Sequence, residues 1–216
     1  MTDLSLNVHV VIFSLCDDAL QVLLAPGEKD AWQLPGQDVQ PAESLEAAAA
    51  RAFAGQLGPG EAYLEQLYTY GDPGRVPGQR TVSVVYFVLI PPEAQRSSPS
   101  STAGKMRWFR LNELPALDHD HSEIIAYALR RLHYKMEYSA AGFELLPDEF
   151  TLSELQHTYE IILGEKLDKR NFRRRILEAG IIEGTPRRRT GEGRPARLYR
   201  YRADAVAEVK TRRLFP

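Results

Sequence analysis

Two helical segments joined through Gly164 restrict this chain more than any other feature of its sequence. Thr151-Leu152-Ser153-Glu154 has the form of a capping box, in which a threonine hydroxyl accepts from the backbone three residues on and the glutamate reaches back to the threonine's own N–H. Leu152, Leu155, Tyr159 and Ile162 recur at helical spacing behind it, and Gly164 suits the left-handed exit. A second helix is expected to open at Asp168, whose carboxylate can cap the first turn, and to leave through Gly180. It places Phe172, Ile176 and Leu177 on one apolar stripe and Lys169, Arg170, Asn171, Arg173 and Arg174 on the remaining surface. Arginine presents a planar fork to guanine or phosphate, and asparagine pairs bidentately with adenine. That surface therefore suits a DNA major groove, although a solvated cationic helix face would carry the same residues.

The flanks favour the groove. Helix, brief turn and basic helix is the helix-turn-helix order, with the first helix, which Thr151 opens, bracing against the DNA backbone. Ile181-Ile182-Glu183 and Arg197 to Arg202 can pair as strands around residues 185–195, a glycine-rich basic connection with the character of a wing. Arg187, Arg188, Arg189, Arg194 and Arg197 are placed to lie along phosphates or to enter a narrow minor groove, with Gly193-Arg194-Pro195 as the tip. Leu198, Tyr199 and Tyr201 are expected to pack the wing rather than to stack on bases.

Charge separates the chain in the same way. The formal net charge of −2 hides 11 Lys/Arg against 17 Asp/Glu in residues 1–142 and 16 against 12 in residues 143–216, so the two parts carry −6 and +4. Residues 164–202 alone hold 13 basic and 5 acidic side chains, which calls for a polyanionic partner. With 216 residues, 44% of them hydrophobic, two domains are expected, at 1–140 and 141–216, joined around Glu137 to Phe150. No apolar run has the length of a membrane span and the N-terminus lacks a signal-peptide pattern, so a cytoplasmic protein is expected. The single Cys16 can form no intramolecular bridge and sits in an apolar run, where a buried, inert thiol is expected. His9, His119, His121, His133 and His157 show no metal-ligand spacing, so no metal site and no cofactor are expected; His119 and His121 read as the entry to a helix.

In the acidic part, Val8 to Leu15, Gln21 to Leu24, Leu64 to Tyr70, Thr81 to Ile90 and Lys105 to Arg110 read as strands, the first two joined by a turn at residues 16–19. Glu43 to Leu57 reads as an alanine-rich helix. A long helix follows Asp120, its expected cap, with Ile125, Leu129, Leu132 and Met136 on one face. The Ser-rich stretch at residues 95–104 reads as a loop. Strands on both sides of a helix imply a mixed α/β core. No internal repeat is found.

Residues 31–58, AWQLPGQDVQPAESLEAAAARAFAGQLG, resemble the Nudix box of nucleoside-diphosphate-linked hydrolases. Leu34-Pro35-Gly36, Glu43, Arg51, Phe53 and Gly58 fall at that family's spacing. The resemblance implies a Nudix-like α/β/α sandwich with a mixed sheet. It does not carry the chemistry over: Gln37 replaces the second glycine, Ala52 the glutamate after the arginine, and Gly55 and Gln56 the metal-holding pair. Diphosphate hydrolysis needs carboxylates that hold a cation beside the leaving group and the attacking water. No catalytic residue is therefore assigned, while a pocket for a nucleotide metabolite can survive. Its candidate residues are Trp32, Gln33, Gln37, Arg80, Ser83 and Tyr86, with Glu43 and Arg51 in support. For several of these an ordinary role also suffices: Trp32 as core, Arg51 as the partner of Glu43, Ser83 and Tyr86 as alternate faces of one strand.

Taken whole, the chain resembles the Nudix-related transcriptional regulators, which join a Nudix-like domain to a winged helix-turn-helix and belong to the α+β class. The match rests on Arg80 to Tyr86, Trp108-Phe109, Glu113-Leu114-Pro115, Glu137-Tyr138-Ser139, Phe150 to Gln156, Tyr159-Glu160, Ile162-Leu163-Gly164 and the run from Leu167 to Arg174. It implies a homodimer on a palindromic operator of double-stranded DNA, near genes of NAD metabolism or sugar use. ADP-ribose or a related metabolite would release that DNA. The rival expectation is a Nudix-type hydrolase with residual ADP-ribose or nucleotide-sugar pyrophosphatase activity.

Overall fold

The computed structural model describes residues 4–53, 62–97, 106–138, 141–190 and 195–205. The chain divides into two compact units, Met1–Leu129 and Arg130–Pro216, so the division falls inside the long helix His121–Tyr138, whereas the sequence places the joint after it.

The first unit is built on a mixed sheet. Strands β1 (Leu4–Cys16) and β2 (Ala19–Pro26) form a hairpin whose turn residues, Asp17 and Asp18, both take positive φ (51° and 55°). That geometry matches the twist of the flanking strands, and short acidic side chains tolerate it. Short strands β3 (Trp32–Gln33) and β4 (Gly36–Asp38) follow, then β5 (Tyr63–Tyr70), β6 (Arg80–Ile90) and β7 (Arg107–Arg110). The order is β3-β2-β1-β6-β5, with β4 added on β1 and β7 on β2. β1 and β6 run parallel in register from Leu4 opposite Arg80 to Ser14 opposite Ile90, and the remaining pairs are antiparallel. The apolar stretches of the two central strands, residues 10–13 and 84–90, are buried on both faces, while the first residues of β1 are partly exposed.

Helix α1 (Leu45–Phe53) covers the face of Val8, Val10, Ile12, Val84, Tyr86 and Val88, with Ala48, Ala49 and Ala52 turned inward. Methyl side chains let its backbone come close to the sheet. The helix starts two residues later than the sequence suggests. Ser44 caps it, its hydroxyl accepting the Ala47 N–H at 3.1 Å, while Glu43 stays in the preceding turn and accepts the Gln40 N–H at 2.7 Å. Residues 54–57 of the expected helix lie outside the described residues. The expected loop at 95–104 begins instead within a short helix, α2 (Pro92–Ser97).

Helix α3 (His121–Tyr138) begins on the opposite face, where Tyr127 meets Tyr68 at 5.8 Å and His121 meets His9 at 4.8 Å. The unit is thus an α/β/α sandwich. Ile124, Ile125 and Ala128 are buried in its first half, Leu132 and Met136 in its second; of the expected stripe Leu129 is only half-buried, and Ile124 and Ala128 take up the burial beside it. Asp120 does not cap this helix as expected: its carboxylate takes two N–H groups of Arg75 instead. Among the described residues no helix is long and apolar enough to cross a membrane.

In the second unit, α4 (Leu152–Leu163) opens on a complete Thr151/Glu154 capping box and closes at Gly164, whose φ of 71° needs a residue without Cβ crowding. Helix α5 (Lys169–Glu178) starts at Asp168, which accepts the Asn171 N–H at 2.7 Å. Glu160 organises the turn between them: it accepts from Lys166, Gln156 and the Leu167 N–H, Lys166 first among the contacts that hold its carboxyl down at about 2. Phe172 and Ile176 are buried, Phe172 against Tyr159, but Leu177 is 50% exposed, so the apolar stripe is narrower than its sequence spacing implies. Strands β8 (Ile182–Arg189) and β9 (Ala196–Tyr201) pair antiparallel, with a register shift after Gly184. Phe150 adds a bridge to Tyr199 through two backbone hydrogen bonds of 2.9 and 2.8 Å. Arg187, Arg188 and Arg189 accordingly lie on a strand and not in the connecting loop.

A polar slot in the sheet and a basic helix with its wing

Along β1 the partner strand changes. Residues 13–16 pair with β2 and residues 7–9 with β4, so β2 and β4 diverge and the Leu34-Pro35-Gly36 turn enters between them, the Val10 N–H donating to the Pro35 carbonyl at 2.9 Å. A cavity of about 320 Å³ opens there, lined by Asn7, His9, Gln33, Gln37 and Asp38 among others. A second cavity of about 140 Å³ shares Asn7, His9 and Gln33 with the first and adds Arg75, Gln79, Thr81, Ser83 and His121. The two form one slot. Gly36 backs directly on the His9 ring: a Cβ there would lie 2.4 Å from the imidazole Nδ1, so only glycine fits.

Burial sets the electrostatics of the slot. The His121 Nδ1 accepts the Leu34 N–H at 3.1 Å, which requires the neutral Nε2–H form. Desolvation holds His9 down at about 4 and His121 at about 3. The Arg75 guanidinium, with a side chain 7% exposed, is neutralised by Asp120 at 2.8 Å and donates to Ser83 Oγ at 2.7 Å. These depressed imidazole pKa values mean that the unfolded chain binds more protons than the folded one. Stability is therefore complete above the ordinary histidine value near 6.5 and declines as pH falls toward the folded values. Between pH 7 and pH 5 the first unit is expected to lose roughly 2 kcal/mol per imidazole. Thermal unfolding against pH reads this directly, and the acid limb should flatten in His121→Asn, which keeps an acceptor for the Leu34 N–H.

The candidate pocket residues divide between the two faces of the sheet. Gln33, Gln37 and Ser83 line the slot. Glu43 and Arg51 pair with each other at 2.6 Å, and Arg51 also donates to Gln37 Oε1 at 2.9 Å and to the Asp38 carbonyl at 2.8 Å, so the pair braces β4 from the α1 side. Tyr86 faces α1 as well and donates to Glu46 at 3.2 Å; burial pushes its hydroxyl up to about 12. Trp32 packs edge-on against Phe109 at 4.7 Å with Arg107 over its ring. Arg80 donates to the Gly71 carbonyl at 2.8 Å. None of Trp32, Glu43, Arg51, Arg80 and Tyr86 lines either cavity. The slot's cation is Arg75, which sequence reasoning passed over in favour of Arg80. Asn7, His9, Thr81 and His121 were also missed, although His9 interrupts an apolar strand and so carried a signal. Among the described residues no group of three or more His, Cys, Asp or Glu side chains is arranged to hold a metal ion.

In the second unit, α5 turns its cations outward. Lys169 and Arg170 are exposed, Arg174 donates to Asn171 Oδ1 at 2.9 Å, and Arg173 reaches back to Ser153 Oγ at 3.0 Å. On the wing, Arg187 pairs with Glu149 at 3.0 Å, Arg189 with Glu154, and Arg188 is exposed beside them. Arg197 lies over the Tyr199 ring at 5.4 Å and crosses the bare backbone of Gly184. Thr151 is spent on its cap, accepting from Glu154. Arg194 lies outside the described residues. Helix and wing nonetheless bring Lys169, Arg170, Asn171, Arg174 and Arg188 onto one unit.

Residues 5–132 match the NUDIX domain model and residues 142–201 match the NrtR DNA-binding winged helix domain. The chain is also 37% identical over 204 residues to the ADPR responsive transcriptional repressor NtrR of Acinetobacter baylyi, covering 91% of this chain and 81% of that protein. The chain belongs to the Nudix-related transcriptional regulators. NrtR of Shewanella oneidensis, solved as a crystal structure in complex with a 27mer DNA, superposes with a TM-score of 0.87 at 33% identity, over 97% of this chain and 99% of that one. The NUDIX domain of the same NrtR, in a cocrystal with ADP ribose, matches 61% of this chain and 90% of its own at 27% identity and a TM-score of 0.50. In this Nudix-related regulator two residues at the box's spacing, Arg51 and Glu43, join with one departure from it, Gln37, to hold the β4 edge that walls the slot.

Proposed function

We propose that this chain is a DNA-binding transcriptional repressor whose Nudix-like domain senses ADP-ribose or a related nucleotide metabolite. The observation that carries the reading is the pairing of an outward-facing cationic helix and wing in one unit with a polar, ligand-sized slot in the other. Residues 1–140 would form the sensing domain and 141–216 the DNA-binding domain. Thr151, Lys169, Arg170, Asn171, Arg173, Arg174, Arg187, Arg188, Arg189, Arg194 and Arg197 would contact DNA. Gln33, Gln37 and Ser83 would meet the effector directly, with Trp32, Glu43, Arg51, Arg80 and Tyr86 supporting the walls. A homodimer on a palindromic operator, controlling genes of NAD metabolism or sugar use in the cytoplasm, completes the proposal.

The sensing domain works without hydrolysis. The described part of the box does not fit a magnesium ion: Glu43 is committed to Arg51, Glu46 accepts from Tyr86, and Ala52 is buried methyl against the sheet. Gly55 and Gln56, outside the described residues, bring no carboxylate.

An effector releases DNA only by its differential affinity for the free and DNA-bound forms. Titrating ADP-ribose into the protein and its operator should lower DNA affinity by roughly 5–150-fold, with the ligand recovered intact from magnesium buffer. Unchanged operator affinity at saturating ADP-ribose would reject that effector, and its cleavage would restore the hydrolase reading.

A further inference from the structure

Helix α5 leaves one apolar side chain among its cations. Leu177 is 50% exposed, and among the described residues from 141 on it is the one large hydrophobic side chain that stands in solvent. Its place on the helix is specific. Phe172 and Ile176 take the buried side, and Arg173 is turned back to Ser153 Oγ at 3.0 Å. Arg170, Arg174 and Leu177 fall at i, i+4 and i+7, within an arc of roughly 60°, and form one outward stripe. Glu178 lies beyond the Arg174 edge of that stripe, where its carboxylate faces the arginine at 3.6 Å. From Arg170 to Leu177 the stripe is about 10 Å long, the length of about three base-pair steps.

We propose that Leu177 is a specificity-determining residue of the DNA site, set to pack on the C5 methyl group of a thymine in the major groove. The proposal rests on the reading of α5 as the helix that enters the groove, and it names what the last turn of that helix selects. The major-groove edges of the base pairs offer donors, acceptors and one apolar group, the thymine methyl. A leucine brings neither donor nor acceptor. Against the amino group of cytosine or adenine, or the O6 of guanine, it displaces water and returns no hydrogen bond, which costs free energy. Against the methyl, both apolar surfaces leave water together. Leu177 therefore selects thymine by what it excludes as well as by what it fits. Arg170 and Arg174 differ in this respect, because a guanidinium suits phosphate and guanine alike. Their charge beside Leu177 also favours a polyanion over a second protein surface on this face.

Deoxyuridine differs from thymidine by that methyl alone, so base replacement isolates the contact. Duplexes that the full chain retains from a random pool supply the probe, and each dT is replaced by dU in turn. Fluorescence anisotropy with the unaltered protein should show at least one position at which the replacement weakens binding about fourfold, the value of one buried methyl-sized group. In Leu177→Ala the dT and dU duplexes should bind equally at that position, while Leu177→Met, still apolar, should keep most of the difference. Leu177 stands half in solvent and alanine is the better helix former, so the unfolding temperature should hardly move. Two results would overturn the contact. One is the lack of any position at which dU weakens binding by the unaltered protein. The other is a dU effect undiminished in Leu177→Ala, which with a changed mass by light scattering would make Leu177 a contact between copies instead. If no duplex is retained above scrambled DNA, the reading of α5 itself falls, and the contact with it.

Discussion

Alanine at both Arg170 and Arg174 should weaken binding to an operator duplex by about 2–6 kcal/mol, on the order of a thousandfold, with little change in thermal stability. Arg170 is exposed and has no partner among the described residues. Arg174 faces Glu178 across 3.6 Å, with side chains 60% and 61% exposed, and an ion pair so hydrated stabilises the helix very little. What these residues offer is a fork aimed outward on α5, so their loss falls almost wholly on the complex. Fluorescence anisotropy across a salt series separates the two ways that loss can arise. Each vanished phosphate contact should reduce the slope of log affinity against log salt by about 0.9, whereas a lost base contact should lower affinity for operator relative to scrambled duplex. If the double variant retained operator within twofold of the unaltered protein, α5 would not be the reading helix.

Phe172→Ala should have an effect of similar size for the opposite reason. Phe172 is buried edge-on against Tyr159, their centroids 5.6 Å apart, and this contact joins α5 to α4. Truncation removes the ring and leaves a cavity between the helices, which costs about 3–5 kcal/mol. A unit of this size has little more than that in reserve, since whole domains hold only about 5–15 kcal/mol. Calorimetry should show the transition of the second unit falling by more than about 10 °C, with operator binding lost at physiological temperature, and Phe172→Leu should recover most of both. A shift of a degree or two would mean that the helix pair is held by something other than this contact.

The second unit was legible because its signals are local. A capping box, a left-handed glycine and an N-cap aspartate each act within a few residues, so Thr151, Gly164 and Asp168 announce their helices without reference to the rest of the fold. Leu177 was misjudged because a position on a helical wheel does not say how wide the covering layer is. The slot was harder to read. Tyr86 and Ser83 lie on one strand three residues apart, and period-2 alternation sends them to opposite faces, yet the sequence does not say which face holds the cavity. Arg75 reaches the slot from the connection between β5 and β6 through Asp120, a partner 45 residues away, and no spacing rule links the two. Asp120 itself stood at a fitting cap position and was claimed by that longer-range charge.

The close approach of Gly36 to His9 gives the box remnant a different meaning. A hydrolase would protect that glycine for the sake of its substrate and metal, but here an imidazole fills the space where any side chain would stand. Carboxylates are not needed along α1 to hold the sheet, which Ala48, Ala49 and Ala52 already cover, while the Leu-Pro-Gly turn is under steric obligation to its neighbour. A fragment of an enzyme's signature can thus be held in place by packing alone, whatever chemistry surrounds it.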